Sequence, residues 1–96
     1  MKAQLDRVVH EPVRLKIMTI LSRGEELDFN FLLGVLGLTK GNLSRHTEKL
    51  EAANYVKIEK SFSGNIPKTC YKITQKGSSV LAQYWKNVDA IRRLGQ

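Results

Sequence analysis

Within "LTKGNLSRHTEKL", Leu38 to Leu50, the residues Asn42, Arg45 and Lys49 stand at i, i+3 and i+7. That spacing lines them along one face of a helix. Each type has a use on a nucleic-acid duplex: Arg can bond both acceptors of guanine, Asn can pair bidentately with adenine, and Lys neutralises phosphate. Leu43, Thr47 and Leu50 form the opposite stripe, with Thr39 and His46 at its margin. A helix that only packs needs the apolar stripe and places no demand on the outer one. Asn42 and Arg45 are therefore the candidates for base readout, and Thr39, Lys40, Ser44 and Lys49 for phosphate contacts. Gly41 leaves the first turn without a side chain, so a phosphate can approach the positive end of the helix. A plain solvated polar face is the competing reading. Glu48 belongs at the edge of such a contact, turned away from the phosphates.

Other residues with reactive chemistry lack companions. His10 and His46 have no Cys or acidic pair at ligand spacing, so no metal site and no cofactor is expected. Cys70 is the one cysteine, which excludes an intrachain disulfide and a zinc site built on paired cysteines. Nothing arranges Ser, His and Asp as nucleophile, base and orienter, so the chain is not expected to be an enzyme. No apolar run approaches the roughly 18 residues of a membrane span, and a signal-peptide pattern is not expected at the N-terminus. The expected location is the reducing cytoplasm.

The elements that must hold the 39–53 helix are legible around it. "RVVHEPVRLKIMTILS", residues 7–22, reads as a helix with Pro12 in its first turn, Val13, Ile17, Ile20 and Leu21 inward, and Gly24 as a stop. "LDF", Leu27 to Phe29, has the length of a single strand crossing. Asn30 suits an N-cap for the short apolar helix "FLLGVL" that ends at Gly37, and Thr39 caps the next one. Two helices joined through so short a Gly-containing turn are a helix-turn-helix. "YVKIEKSF" and "KTCYKIT" alternate as strands, and "SGNIP" between them is turn chemistry, giving a hairpin over 56–73 with a longish loop. Lys60, Asn65 and Lys68 on that hairpin are further candidates for contacts to the nucleic-acid backbone. Thr74 caps a last helix.

On that last helix Leu81, Tyr84, Val88 and Ile91 are spaced like a coiled-coil seam, widened by Val80, Trp85 and Leu94. So many apolar residues exceed what the core of 96 residues requires, and the expected use is a homodimer interface formed by 75–94 with part of 7–22. The composition supports an anionic partner: sixteen Lys+Arg against nine Asp+Glu give +7. Residues 39–76 hold eight of those basic residues against Glu48, Glu51 and Glu59. The fold class expected is mainly α with a small β-hairpin, a winged helix-turn-helix spanning 1–96 as one domain.

The run "ELDFNFLLGVLGLTKGNLSRHTEKLEAANYVKIEK" followed by "PKTCYKITQKG" resembles small single-domain winged-helix transcriptional regulators of the MarR/ArsR-like group. "HEPVRLKIMTIL" fits as well, so the resemblance runs from about Val9 to Gly77. It implies a homodimer on a pseudo-palindromic double-stranded site, with 39–53 in the major groove and 56–73 on the backbone or minor groove. The chain departs from such relatives at three places. Thr47 replaces a usual Leu, Asn54 a usual Gly, and Asn65 with Ile66 take the wing tip where relatives often carry Arg or Lys. The competing class is a winged helix used for protein contact or for RNA, without an operator. The sequence identifies no small-molecule effector; one would have to bind at the dimer seam or between the seam and the wing.

Overall fold

The computed structural model describes residues 4–96. The chain runs α1 (Pro12–Leu21), β1 (Leu27–Asp28), α2 (Phe29–Leu36), α3 (Lys40–Ala52), β2 (Val56–Ser63), β3 (Ile66–Ile73) and α4 (Gln75–Arg93). The strands form one antiparallel sheet in the order β1-β3-β2. Leu27 pairs with Tyr71 and Asp28 with Cys70, so the short "LDF" crossing ties the wing to the helices. This is the winged-helix architecture expected from the sequence.

Several boundaries move, each for a local reason. α1 begins at Pro12 rather than at residue 7, because the Glu11 carboxylate accepts the Arg14 N–H at 2.7 Å and Pro12 occupies the first helical position. The preceding residues form a turn closed by Asp6, whose Oδ1 accepts from the N–H groups of Val8 and Val9. α2 is capped by Asp28, not Asn30: its carboxylate accepts from Phe31 N–H at 2.8 Å, so β1 feeds straight into the helix. Gly37 ends α2 at φ 63 and Thr39 caps α3, as the sequence indicated. At the far end of α3, Asn54 takes φ 62 while Tyr55 N–H bonds to Leu50 O and Asn54 N–H to Glu51 O. That is a Schellman cap with Asn in the glycine position.

The wing spans 56–73 as expected, but its strands run further and its turn is tighter than expected. Pairing continues out to Ser63 and Ile66, leaving only Gly64 and Asn65 between the strands. Gly64 adopts φ 65, the positive value that a two-residue hairpin demands. Pro67 sits within β3 opposite Phe62, beyond the reach of β1, where a missing N–H costs no ladder bond on the open edge.

The core is built from Val9, Ile17, Met18, Leu21, Leu32, Leu43 and Leu50, all without exposed surface, joined by Val56, Tyr71, Leu81 and Tyr84. Each such side chain contributes roughly 1.5–3 kcal/mol by burial. The buried stripe of α1 is Arg14, Ile17, Met18 and Leu21, while Val13 and Ile20 are only partly covered. Leu81 and Tyr84, expected in a dimer seam, instead belong to the chain's own core, each 4 % exposed. The reason is that the inner face of α4 packs against the N-terminal turn and α1, where the Tyr84 hydroxyl lies 2.9 Å from His10 Nδ1.

The turn that follows α3 meets the start of α4 backbone to backbone. Thr74 N–H donates to Tyr55 O, its hydroxyl donates to Asn54 O at 2.6 Å, and the same hydroxyl accepts from Gly77 N–H. A Cβ at Gly77 would press into the Tyr55 carbonyl. Tyr55 in turn donates its hydroxyl to Asp6 Oδ2, so the end of α3 is tied to the N-terminal turn as well.

Candidate nucleic-acid interface

α3 is amphipathic in the sense its sequence required. Leu43, Thr47 and Leu50 are buried, and Lys40, Gly41, Asn42, Arg45 and Lys49 are exposed. Ser44 is half-buried at the margin. Thr39 contributes its hydroxyl oxygen as the cap, accepting from Asn42 N–H at 3.2 Å. Thr47, polar where an apolar residue would serve packing better, satisfies its hydroxyl by donating back to the carbonyls of Leu43 and Ser44. The ion pairs among the described residues are Lys57–Glu59, Arg92–Asp89 and the close approach of His46 to Glu11. None of them engages Arg45 or Lys49, so both cations face solvent uncompensated.

The wing faces α3 across a groove lined by Ser44, Thr47, Glu48, Glu51, Ile58, Lys60, Thr69 and Tyr71. Lys60 therefore lies on the side of the wing that looks toward the helix. Lys68 is exposed on the other strand, opposite Ser61, and Asn65 is exposed at the tip. Glu48 borders this groove on the wing side of the helix. The structure brings the wing alongside α3, with Lys60 on the groove between them together with Glu48 and Glu51.

What orients α3 is a buried cluster that the sequence reading did not find. Arg14 is only 9 % exposed, and its guanidinium is held by Val8 O at 2.6 Å, Arg7 O at 3.4 Å and His46 Nδ1 at 3.1 Å. Because the guanidinium can only donate, Nδ1 of His46 accepts and the ring proton sits on Nε2. Desolvation lowers the His46 pKa below 6.5. Glu11 opposes that shift, while Arg14, Arg45 and Lys49 add to it. His46 is thus a buried residue, the α3 half of a clasp to α1. The available signal was a basic residue on an apolar stripe, Arg14 ahead of Ile17, Met18 and Leu21 at i+3, i+4 and i+7.

Two other groups behave as packing elements. Burial pushes the Cys70 thiol up and keeps it from ionising readily. Burial, with the hydrogen bond to Asp6, raises Tyr55 to about 12. Among the described residues no helix is long and apolar enough to cross a membrane.

A helix-turn-helix carrying a hairpin wing, with the outer face of its second helix free, defines the winged-helix class. A family model described as "Winged helix DNA-binding domain" matches residues 13–92, and the chain belongs to that family. A protein of Methanocaldococcus jannaschii described only as uncharacterized is 38% identical over 78 residues, covering 81% of this chain and 85% of the relative. A transcriptional regulator homologue from Pyrococcus horikoshii OT3 superposes with a TM-score of 0.84 at 31% identity, over 92% of this chain and 87% of that one. A MarR-family protein of Enterococcus faecalis V583 shares the fold at a TM-score of 0.71 and 19% identity, over 93% and 84% of the two chains. Proteins named as ArsR- and PadR-family regulators share it too. The resemblance to winged-helix proteins read from the sequence holds.

Proposed function

We propose that this chain regulates transcription by binding a specific double-stranded DNA site as a homodimer. α3 enters the major groove, where Asn42 and Arg45 read base edges. Thr39, Lys40, Gly41, Ser44 and Lys49 meet the flanking phosphates, and the wing lies along the backbone with Lys60 and Lys68 on phosphate. The observation that carries this reading is the free outer face of α3. Its basic side chains are exposed and unpaired, while its inner face and both ends are fixed by core, caps and the Arg14–His46 clasp. Rigid support behind an uncommitted polar face is what base readout needs.

The dimer reading rests on the outer side of α4. Trp85 and Ile91 are 45% and 39% exposed, Leu94 76%, and Val88 is half-buried beside them. Trp85 closes an apolar groove with Leu15, Ile20, Val35 and Leu36 from α1 and α2. A second copy covering these apolar residues would set two recognition helices about 34 Å apart, one turn of duplex. An effector, if the protein has one, has room in the same seam.

The test is selection of bound duplexes from a random pool, followed by titration of the selected site against a matched RNA hairpin at several salt concentrations. The expected result is a sequence preference with a steep salt slope on DNA. Equal binding to RNA, or no preference among duplexes, would overturn it in favour of a module that works without an operator.

A further inference from the structure

At the contact between α1 and α3, two oppositely charged groups address the same atom of a group that can take up a proton. His46 Nδ1 accepts from the Arg14 guanidinium at 3.1 Å and stands 3.7 Å from Glu11 Oε1. Arg14 is anchored apart from the ring, since Val8 O and Arg7 O hold its other nitrogens. Glu11 Oε1 caps α1 by accepting Arg14 N–H at 2.7 Å, and a carboxylate oxygen can take a second donor. Burial, with the charges of Arg14, Arg45 and Lys49, keeps the ring neutral at neutral pH against the pull of Glu11. The nearby titratable groups of the N-terminal turn are engaged elsewhere. Asp6 accepts from the Tyr55 hydroxyl and from the N–H groups of Val8 and Val9, and His10 meets the Tyr84 hydroxyl.

We propose that this junction is a one-proton switch: neutral His46 pairs with Arg14, protonated His46 pairs with Glu11, and the exchange shifts α3 so that acid weakens DNA binding. It rests on the DNA-binding reading above and adds a regulatory input to it. A proton taken from solvent by Nδ1 sets an N–H against a guanidinium N–H, two cations and two donors with no acceptor between them. A buried ring cannot keep that arrangement. The outlet is Glu11, whose carboxylate gains a charge-assisted hydrogen bond once the 3.7 Å separation closes to about 2.8 Å. That approach leaves the guanidinium without its imidazole acceptor and pulls α3 against the capped end of α1. Arg45 adjoins His46 and Asn42 stands one turn before it, so both readout residues ride on the segment that moves. Their hydrogen bonds to base edges weaken steeply once the angle is lost. Plain electrostatics has the opposite sign: phosphates that neutralise Arg45 and Lys49 would favour the imidazolium, and acid would then tighten binding.

The experiment measures affinity by fluorescence anisotropy at pH 7.5, 6.0 and 5.0 and constant ionic strength. The probes are a duplex recovered by selection and a 30-bp mixed-sequence duplex, and circular dichroism at each pH checks that the protein stays folded. Affinity of the unaltered protein should fall about tenfold between pH 7.5 and 5.0. His46→Gln keeps an acceptor for Arg14 but has no proton to gain, so its affinity should hold within about two-fold over the same range. His10→Gln should respond to acid as the unaltered protein does. Nitrogen-15 NMR of the His46 ring supplies the second readout. Glu11→Gln still caps α1 but offers the imidazolium no charge, and it should move both the ring titration and the loss of affinity to lower pH. Affinity that is flat or rises in acid, or an acid loss that persists in His46→Gln, overturns the proposal. Tight binding independent of pH sinks the switch alone. Absence of binding to both duplexes at every pH sinks the DNA reading, and a His46 titration unmoved in Glu11→Gln then overturns the partner exchange as well.

Discussion

Arg14 spends its guanidinium on neutral acceptors, two carbonyls and an imidazole, in a place where a charge is expensive. Its planar fork reaches all three at once; an ammonium cannot. Arg14→Lys should therefore destabilise the protein by about 2–4 kcal/mol in urea unfolding, despite keeping the charge. A loss near zero would mean that the clasp is incidental. His46 gives the same cluster a pH signature. Glu11 and Arg14 face it from α1, Arg45 and Lys49 from its own helix, and its folded pKa lies below the ordinary 6.5. Between those two values the unfolded chain binds more protons than the folded one, so stability falls as pH drops through 6.5 and levels off below the folded pKa. His46→Gln, whose amide oxygen can still accept from Arg14, should flatten that part of the profile measured by thermal melts from pH 8 to 5. At the readout face, Arg45→Ala should cost about 1–3 kcal/mol in binding and relax one base position, whereas Lys60→Ala should weaken all duplexes alike.

Among the elements, α4 comes close to the chain that leaves α3, at Gly77 and Tyr55. Replacing a helical glycine by alanine ordinarily favours a helix by about 1 kcal/mol. At Gly77 the added methyl meets the Tyr55 carbonyl, which is itself fixed by Thr74 N–H. The clash should win, and Gly77→Ala should destabilise by about 2 kcal/mol or more in denaturant melts. A more stable variant would show that the close approach is relieved by a small shift of α4. The caps were legible at Thr39, Gly37 and Thr74 because cap chemistry is local, decided within three residues. Asp28 in place of Asn30 was not, since β1 had to pair with β3 before α2 could start where it does. The hairpin turn shrank for a related reason: "SGNIP" reads as five turn residues, but ladder pairing extends strands until only Gly64 and Asn65 remain.

For the whole molecule, the decisive question is which apolar surface of α4 faces inward. Leu81 and Tyr84 are consumed by the chain's own core, so the seam available to a second copy narrows to Val88, Ile91 and Leu94 with Trp85 and its groove. Trp85→Glu together with Leu94→Glu should convert dimer to monomer in sedimentation equilibrium at about 10 μM, leaving helix content intact, because a buried carboxylate without a partner is not tolerated. An unaltered protein that sediments as a monomer at that concentration would remove the dimer from the proposal.

The sequence by itself determined the winged-helix class, the two-sided character of α3 and the concentration of positive charge in its middle, since all three follow from periodicity, local caps and composition. Tertiary structure alone decided that Arg14 and His46 clasp each other, that Gly77 abuts Tyr55, and that half of α4's apolar stripe is spent internally. Those outcomes depend on which faces of distant segments meet. A spacing of residues along one helix fixes which side chains share a face, but not what that face will touch.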